Sequence, residues 1–372
     1  MSTLSDVTLK IGSGSTPRGG KSVYTTTGTA FIRSQNVLDF SLEVESMARI
    51  DGDAADSLRN VSVQHGDVLV NITGDSVARC SVWERHEEAR VSQHVAIVRP
   101  DPEKVSSRYL QYWLVAPAQK THLLTLSSAG GSRKALTKAM LEGFPFGPHD
   151  LNTQRAIAEV LGALDDKIAA NRRVIDASEE LQLALFRRIS RTGEHLRLGE
   201  MIRLMYGKAL PQDMRVPGEV AVVGSGGVVG SHTEGLVSGP AVVVGRKGSV
   251  GTVHWIDRDA YPIDTTFWVE PIDELPLPYL HRLLESLPLN SMSSDSAVPG
   301  LNREHAYSLL LPAHDREDIN RFARDVEGLI ARSSLAEREN QVLASTRDEL
   351  LPLLMSGRIT VGAASSHVEE VV

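Results

Sequence analysis

The stretch QRAIAEVLGALDDKIAANRRVIDASEELQLALFRRI, residues 154–189, decides how the rest of the chain is interpreted. Its apolar residues recur at intervals of three and four, which is the spacing of one face of an α-helix. The stripe is long enough for a coiled coil, and the polar residue Asn171 lies on it. The apolar residues of the stripe are Ile157, Leu161, Leu164, Ile168, Ile175, Leu185 and Ile189.

A second stretch of the same kind lies near the carboxyl end. Residues 316–359 read REDINRFARDVEGLIARSSLAERENQVLASTRDELLPLLMSGRI, and Asp315 offers a helix cap just before them. Each predicted helix has one apolar stripe, so each needs a partner. The economical solution is an antiparallel pair, in which Asn171 would specify the register; the alternative is two unrelated helices that each cover a sheet. The second stripe consists of Ile319, Phe322, Val326, Leu329, Ile330, Leu343 and Leu350.

Two further segments repeat each other between and before these helices. GDVLVNITGDSVARCSVW, residues 66–83, corresponds to GPAVVVGRKGSVGTVHW, residues 239–255, and both predict strand, glycine turn and strand. In each case a second strand, a Ser/Gly-rich stretch and a short helix follow. The order is therefore β-rich domain, long helix, β-rich domain, long helix, which indicates an internal duplication.

Composition narrows the class of protein. The chain has 372 residues, a formal net charge of −8 and one cysteine, Cys80, which excludes an intramolecular disulfide. No apolar stretch approaches a membrane span and no signal peptide is apparent at the start, so we expect a cytoplasmic protein. Residues 1–150 carry 16 basic and 16 acidic side chains, whereas residues 191–312 carry 10 and 14. The acidic excess therefore lies in the second half.

A nucleotide-binding loop is the obvious interpretation of GSGSTPRGGKS, residues 12–22, and the spacing excludes it. A phosphate-binding loop of the G-x-x-x-x-G-K-[ST] type needs glycine at position 15, where this chain has Ser15. The segment that follows, VYTTTGTAFI, predicts strand and turn rather than the helix whose amino terminus would hold the phosphates. The stretch is better explained as a turn that presents Arg18 and Lys21.

The duplicated order resembles the specificity subunit of type I restriction-modification enzymes. The segments that carry the resemblance are LKIGSGSTPRGGKSVY, FIRSQNV, GDVLVNITG, QRAIAEVLGALDDKIAANRR and GPAVVVGRKGSVGTV, within residues 4–359. The resemblance implies an α+β fold in which two β-rich target-recognition domains are separated by two long antiparallel coiled-coil helices, with a pseudo-twofold internal repeat. The predicted division is 1–150 for the first recognition domain, 151–190 for the central helix, 191–312 for the second recognition domain, 313–359 for the carboxyl-terminal helix and 360–372 for a disordered acidic tail.

The same resemblance implies a DNA-binding, non-catalytic subunit of a phage-defence hetero-oligomer. Its expected partners are double-stranded DNA with a bipartite site, two methyltransferase subunits and restriction-translocase subunits. No cofactor is expected on this chain, while S-adenosylmethionine, ATP and Mg²⁺ are expected on the partner subunits. The expectation of a non-catalytic subunit also agrees with the sequence itself. The sequence has no Asn/Asp-Pro-Pro-aromatic methylation motif and no His/Cys cluster with metal spacing.

Candidate DNA contacts are basic, amide and hydroxyl side chains on predicted loops, because such groups contact phosphates and base edges. Ser92, beside Gln93 and His94, is a further candidate in the first domain. In the first domain the candidates are Arg18, Lys21, Arg33, Ser34, Gln35, Asn36, Thr73, Gln93, His94, Ser132, Arg133 and Lys134. In the second domain they are Lys208, Ser225, Arg246, Lys247, Thr265, Thr266, Asn302 and Arg303.

Two other functions remain open at this point. One is a DNA-binding scaffold subunit of another phage-defence system that uses the same duplicated fold. The other is a two-domain β-rich enzyme that acts on a carbohydrate or nucleotide, which would need converging carboxylates or a phosphate loop. The sequence shows neither feature at a suitable spacing.

Overall fold

Strands alternate with short helices along most of the chain, and two helices are far longer than the rest. The computed structural model describes residues 2–129, 134–147, 149–292 and 300–369. The strands are β1 (Thr8–Ser13), β2 (Tyr24–Thr25), β3 (Thr29–Ile32), β4 (Ala48–Ile50), β5 (Ser62–Val63), β6 (Val68–Asn71), β7 (Cys80–Val82), β8 (Ala89–Val91), β9 (Val95–Pro100), β10 (Arg191–Arg197), β11 (Ile202–Tyr206), β12 (Val220–Gly224), β13 (Gly227–His232), β14 (Ala241–Gly245), β15 (Val253–Ile256), β16 (Ala260–Pro262), β17 (Thr266–Pro271) and β18 (Leu310–His314). The helices are α1 (Leu4–Val7), α2 (Gly52–Ser57), α3 (Ser107–Val115), α4 (Pro117–Ser128), α5 (Lys138–Glu142), α6 (Leu151–Phe186), α7 (Leu198–Met201), α8 (Leu277–Glu285), α9 (Arg303–Tyr307), α10 (Arg316–Met355) and α11 (Val361–Glu369).

The long helices α6 and α10 have 36 and 40 residues and begin at aspartate caps. Oδ1 of Asp150 accepts a hydrogen bond from the backbone N of Thr153 at 2.9 Å and so caps the first turn of α6, which begins at Leu151. Oδ1 of Asp315 accepts from the backbone N of Asp318 at 3.0 Å, which confirms the predicted cap of α10.

The chain divides into two compact units, and the division falls inside both long helices. Unit 1 comprises Met1–Ala170 and Glu339–Val372, and unit 2 comprises Asn171–Arg338. This division differs from the predicted one because each unit holds half of each long helix. In unit 1 the helix halves run antiparallel, with Asp165 paired to Arg347 and Lys167 to Glu339.

The predicted apolar stripe is buried most completely in unit 1, where Ile157, Leu161, Leu164 and Ile168 join Leu343 in one core. In unit 2 the ring centroids of Phe186 and Phe322 lie 5.8 Å apart, and Gln182 lines a cavity together with Ser333, so the helix halves again run antiparallel. Part of the stripe in unit 2 is polar. Asn171, Ser178 and Gln182 are buried there, while Ile175 and Leu185 are only half-buried.

Unit 1 contains a four-stranded antiparallel sheet in the order β1-β9-β6-β7 and a five-stranded sheet in the order β2-β4-β3-β8-β5. Successive side chains of β6 point to opposite faces. Val68 and Val70 therefore enter the core shared with α3, α6 and α10, whereas Leu69 enters the core of the five-stranded sheet. In the five-stranded sheet, β3 and β8 pair in parallel.

Unit 2 repeats this arrangement with different residues. Its four-stranded sheet has the order β11-β17-β14-β15, and a second sheet has the order β13-β12-β16, in which β12 and β16 are parallel. Along β14, Val242 and Val244 enter the core with α8 and α10, and Val243 enters the core of the second sheet. Strands β10 and β18 form a separate two-stranded sheet.

The two four-stranded sheets confirm the internal repeat that the sequence predicts. In unit 1, β1 pairs with β9, and the glycine-turn hairpin of β6 and β7 completes the sheet. In unit 2, β11 pairs with β17 in the same way, and the hairpin of β14 and β15 completes the sheet. A polar contact repeats with them. Oη of Tyr109 and Nδ1 of His149 lie 2.8 Å apart in unit 1, and Oη of Tyr279 and Nδ1 of His314 lie 2.9 Å apart in unit 2.

The expected disordered tail at 360–372 is wrong for the part that the structure describes. Residues 361–369 form α11, and Ala364 and Val368 are buried in the core of unit 1. Val361, Ala364 and Val368 are spaced by three and four residues, so they lie on one helical face. Burial of this short apolar stripe in the core of unit 1 stabilises the helix.

Candidate nucleic-acid interface

The connecting loops at one end of the four-stranded sheet in unit 1 are joined by backbone hydrogen bonds. The segment of residues 92–94 lies at their centre: Ser92 N donates to the Ile32 carbonyl at 2.8 Å, and Ile72 N donates to the His94 carbonyl at 3.0 Å. Gly14 N donates to the Val95 carbonyl at 2.9 Å. We call residues 14–15, 33–36, 72–76, 92–94 and 134–136 the loop face of unit 1.

Gly14 allows the first of these loops to approach closely. A Cβ atom at this position would lie 2.1 Å from the Val91 carbonyl oxygen and 2.3 Å from that of Ser92. No side chain fits at those distances, so glycine is required by the neighbouring backbone rather than by its own dihedral angles. This contact places the glycine-rich turn beside residues 92–94.

Three predicted contact residues meet on this face. Oγ1 of Thr73 and Nδ1 of His94 lie 2.7 Å apart, and Nε2 of Gln93 lies 3.3 Å from Nε2 of His94. Gly74 N donates to the Lys134 carbonyl at 3.1 Å, which brings the loop before α5 to the same place. Gln93, His94 and Lys134 are exposed, whereas Ser92 is buried.

Arg18 and Lys21 are exposed on the continuation of the glycine-rich turn. The turn ends in a short 3₁₀ helix, Gly20–Val23, which begins after Gly19 in the left-handed conformation and leads directly into β2. A single 3₁₀ turn does not provide the helix amino terminus of a phosphate-binding loop. The structure therefore agrees with the exclusion of a nucleotide loop from spacing.

The loop after β3 presents fewer candidates than the sequence predicts. Asn36 is fully buried, and its Oδ1 accepts a hydrogen bond from Arg33 N at 3.0 Å while its Nδ2 donates to the Glu43 carbonyl at 3.0 Å. Asn36 therefore holds the loop together, and the prediction that it reads a base is corrected. Gln35 is exposed, and Arg33 and Ser34 are half-buried. Ser132 and Arg133 lie outside the described residues.

Unit 2 has an equivalent set of loops, joined by equivalent hydrogen bonds. Gly207 N donates to the Thr266 carbonyl at 3.1 Å, Ile263 N donates to the Val223 carbonyl at 2.9 Å, and Arg246 N donates to the Thr265 carbonyl at 2.9 Å. A Cβ atom at Gly207 would lie 2.1 Å from the Ile263 carbonyl oxygen, as at Gly14. We call residues 206–208, 224–226, 246–251, 263–265 and 300–303 the loop face of unit 2.

Most predicted contact residues of unit 2 lie on this face. Lys208, Lys247 and Asn302 are exposed, and Ser225, Arg246, Thr265 and Arg303 are half-buried. Asn302 also caps α9, because its Oδ1 accepts from His305 N at 3.1 Å. Thr266 is fully buried, and its hydroxyl donates to the Ile263 carbonyl at 2.8 Å. The prediction that Thr266 contacts DNA is therefore corrected, since its side chain stabilises the turn.

Sequence reasoning missed Tyr206, the last residue of β11. Tyr206 is 51% exposed, and the guanidinium carbons of Arg246 and Arg303 lie 5.2 and 5.3 Å from its ring centroid. Cation–π contacts of this length attract the guanidinium groups to the ring. The available signal was an aromatic residue at a predicted strand end, directly before Gly207 and Lys208.

Several strongly shifted pKa values belong to groups beside the long helices and not to the loop faces. Burial lowers the pKa of His281, on α8, to about 3, and burial raises that of Tyr279 to about 12. Burial also raises the pKa of Asp165, on α6, although Tyr112 and Arg347 oppose that shift. These groups lie where helices pack against the rest of their unit, away from both loop faces.

Within the described ranges, no group of three or more His, Cys, Asp or Glu side chains is arranged to hold a metal ion. None of the helices in those ranges is both long and apolar enough to cross a membrane. The loop faces offer basic, amide, hydroxyl and aromatic side chains at the ends of the sheets, and these are the groups that contact phosphates and bases in nucleic-acid complexes.

No protein-family model and no curated protein matches this sequence. Among solved structures, the S subunit of a type I restriction-modification system from M. genitalium is similar, with a TM-score of 0.62 and 16% identity over 95% of both chains. The HsdS subunit from Thermoanaerobacter tengcongensis has a TM-score of 0.38 and 15% identity over 96% of both chains. A chain from a structure on assembly and conformational transition of the type I R-M system has a TM-score of 0.39 and 14% identity, over 95% of this chain and 96% of that chain. The chain therefore has the α+β fold of the M. genitalium S subunit, as the sequence resemblance predicted.

Proposed function

We propose that this chain is the DNA sequence-specificity subunit of a type I restriction-modification complex. Each unit binds one half of a bipartite DNA site through its loop face. The observation that carries the proposal is that the loop face occurs twice. Gly14 packs closely against the turn at residues 92–94 in unit 1, and Gly207 packs closely against the equivalent turn at residues 263–265 in unit 2. Two such faces on one chain suit two half-sites, and the fold of the M. genitalium S subunit supports the same function.

The side chains of the loop faces match the two kinds of contact that a DNA reader needs. Lys134, Lys208 and Lys247 are exposed point charges suited to phosphates, whereas Gln35 and Gln93 are exposed amides suited to adenine edges. Arg18 and Lys21 extend the basic surface of unit 1 beyond the loop face.

The chain itself performs no chemistry in this proposal. Two methyltransferase subunits and the restriction-translocase subunits bind it, and S-adenosylmethionine, ATP and Mg²⁺ belong to those partners. One reason is that the sequence has no methylation or nucleotide-binding motif. Another is that groups with shifted pKa values, such as His281 and Asp165, lie away from the loop faces.

Reconstitution tests this function. The pure chain, given DNA, S-adenosylmethionine and ATP, should transfer no methyl group and hydrolyse no ATP above background. The chain together with the methyltransferase subunit encoded beside it should methylate a split site, which methylation mapping on random-sequence DNA would reveal. Turnover by the chain alone, or a complex that methylates without sequence preference, would contradict the proposal.

Contacts to phosphates and to bases should respond differently to substitution. Lys134→Ala should weaken binding to all sequences alike and reduce the salt slope by about one unit, because one released counterion is lost. Gln35→Ala should cost about 1–3 kcal/mol on the cognate site and relax one position, because a base edge loses its partner. Fluorescence anisotropy on matched and mismatched duplexes at several salt concentrations measures both effects.

Two exposed residues of unit 1 outside its loop face serve as controls for these substitutions. Lys104→Ala and Gln64→Ala remove the same side-chain types and should leave affinity and specificity unchanged. A uniform loss for both Lys134→Ala and Gln35→Ala would show that the two residues contact DNA in the same way.

A further inference from the structure

The exposed ring of Tyr206 carries two guanidinium groups on the loop face of unit 2. Besides the contacts to Tyr206, Arg246 lies 5.9 Å from the centroid of Phe267, and Arg303 lies 5.8 Å from that of Tyr307. The centroids of Tyr206 and Phe267 are 4.9 Å apart. The three rings and two guanidinium groups therefore form one continuous cluster.

The cluster is anchored to the backbone from several sides. Nη2 of Arg246 donates to the Asp264 carbonyl at 2.6 Å, and Oη of Tyr307 accepts from Leu204 N at 2.7 Å. The backbone N of Arg246 is held by Thr265. These contacts restrict the long side chain of Arg246 before any ligand binds, which lowers the entropy lost on binding.

The charge of the cluster indicates an anionic or electron-rich partner. Two guanidinium groups on one ring repel each other, and each cation–π contact offsets this only modestly. The exposed carboxylate of Glu304, 3.4 Å from Nε of Arg303, neutralises part of the charge, whereas Arg246 has no carboxylate among its described contacts. Lys208 and Lys247 lie on the same loop face and add to the positive charge, although residues 191–312 as a whole are acidic. Basic groups are therefore concentrated where the proposed DNA contact lies.

Unit 1 has no equivalent cluster among its described residues. The position of Tyr206, directly before Gly207, is taken in unit 1 by Ser13, directly before Gly14. The position of Arg246 is taken in unit 1 by Ile72, whose backbone N makes the equivalent hydrogen bond. Lys138 follows the cap of α5, as Arg303 follows the cap of α9. The two loop faces therefore differ in chemistry although their backbones are equivalent.

We propose that Tyr206 positions Arg246 and Arg303 to read guanine in the DNA half-site bound by unit 2. The inference rests on the proposed function. A guanidinium group matches O6 and N7 of guanine with two parallel hydrogen bonds, and stacking on an aromatic ring fixes the plane in which it is presented. Tyr206 is thus a positioning residue for the two arginines.

Replacement of guanine by 7-deazaguanine tests the proposal, because it removes the N7 acceptor and keeps base pairing. The probe is an unmethylated duplex that contains the split site found by methylation mapping of the full complex. 7-Deazaguanine replaces guanine in one half-site at a time. Binding by the unmodified complex should weaken by about tenfold for one half-site. Tyr206→Leu should abolish that sensitivity and leave the response of the other half-site unchanged.

A conservative variant and a matched arginine separate positioning from general stability. Tyr206→Phe keeps the ring and should retain the sensitivity to 7-deazaguanine. Arg203→Ala removes an exposed arginine from the same strand and should also retain it. If Tyr206→Leu leaves the sensitivity intact, or if no half-site is sensitive, the proposal is overturned. If the unmodified complex shows no sequence preference at all, the proposed function fails instead.

Discussion

Replacing Arg347 by alanine should lower the free energy of unfolding of unit 1 by about 3–5 kcal/mol, because it leaves a buried carboxylate without its cation. Nη1 of Arg347 donates to Oδ1 of Asp165 at 2.7 Å, and the two side chains are only 11% and 16% exposed. The guanidinium carbon also lies 3.8 Å from the ring centroid of Phe40, a residue of the connecting loop after β3. Hydrogen exchange of residues 151–170 and 339–355 measures the loss.

The control for this variant is a second ion pair, which joins the same two helices in the same unit. Lys167 pairs with Glu339 at 3.3 Å, but the two side chains are 36% and 31% exposed. Because water screens an exposed pair, Lys167→Ala should cost less than about 1 kcal/mol. Equal losses for Arg347→Ala and Lys167→Ala would contradict the argument from burial.

The loss of stability caused by Arg347→Ala should also depend on pH and should increase as pH rises. Burial raises the pKa of Asp165 above its ordinary value, so the folded chain holds a proton there at pH values where the unfolded chain does not. Stability therefore falls as pH rises through that window. Loss of Arg347 should raise the pKa of Asp165 further, because only the hydroxyl of Tyr112 and the more distant charge of Arg108 then stabilise the carboxylate.

The deficit of Arg347→Ala should accordingly be larger at about pH 8 than at about pH 5. Asp165→Asn in the Arg347→Ala background should recover part of the loss and remove the pH dependence, because the amide cannot ionise. A deficit that does not change with pH would show that Asp165 is not the group left unpaired.

Gly14→Ala should remove recognition of one half-site. The new methyl group would lie 2.1 Å from the Val91 carbonyl oxygen, so the backbone must move. Overpacking of this kind costs about 1–3 kcal/mol, and the displacement breaks the hydrogen bonds by which residues 14–15 hold the turn at residues 92–94. We expect at least about a tenfold loss of discrimination at one half-site, measured on duplexes mismatched in one half at a time.

Gly12 provides a matched control because it lies two residues before Gly14, on β1, and a methyl group added there would meet nothing within 4 Å. Gly12→Ala should therefore bind DNA as the unmodified chain does. In unit 2, Gly207→Ala should impair the other half-site, and Gly328→Ala, which lies on α10 outside the loop face and also has open space, should not. Loss of the same half-site by both Gly14→Ala and Gly207→Ala would contradict the assignment of one half-site to each unit.

The sequence alone determined the long helices, the duplicated order and the fold class. Local patterns carry these features: Ile157, Leu161, Leu164 and Ile168 recur with the period of a helix, and the glycine-turn hairpins recur at residues 66–83 and 239–255. The tail was misjudged although Val361, Ala364 and Val368 follow the same helical spacing, because a short stripe predicts a helix only when a core is available to bury it.

Only the tertiary structure decided which loop residues face outward. Asn36 and Thr266 have side chains suited to DNA contact, yet each is buried and hydrogen-bonded to its own loop, and no local pattern distinguishes them from exposed Gln35 and half-buried Thr265. Tyr206, Arg246 and Arg303 are distant in the sequence and meet only because β11, the end of β14 and α9 converge. The physical reason is that exposure and side-chain contact depend on backbone pairing between remote segments, whereas periodicity reports only on neighbours along one element.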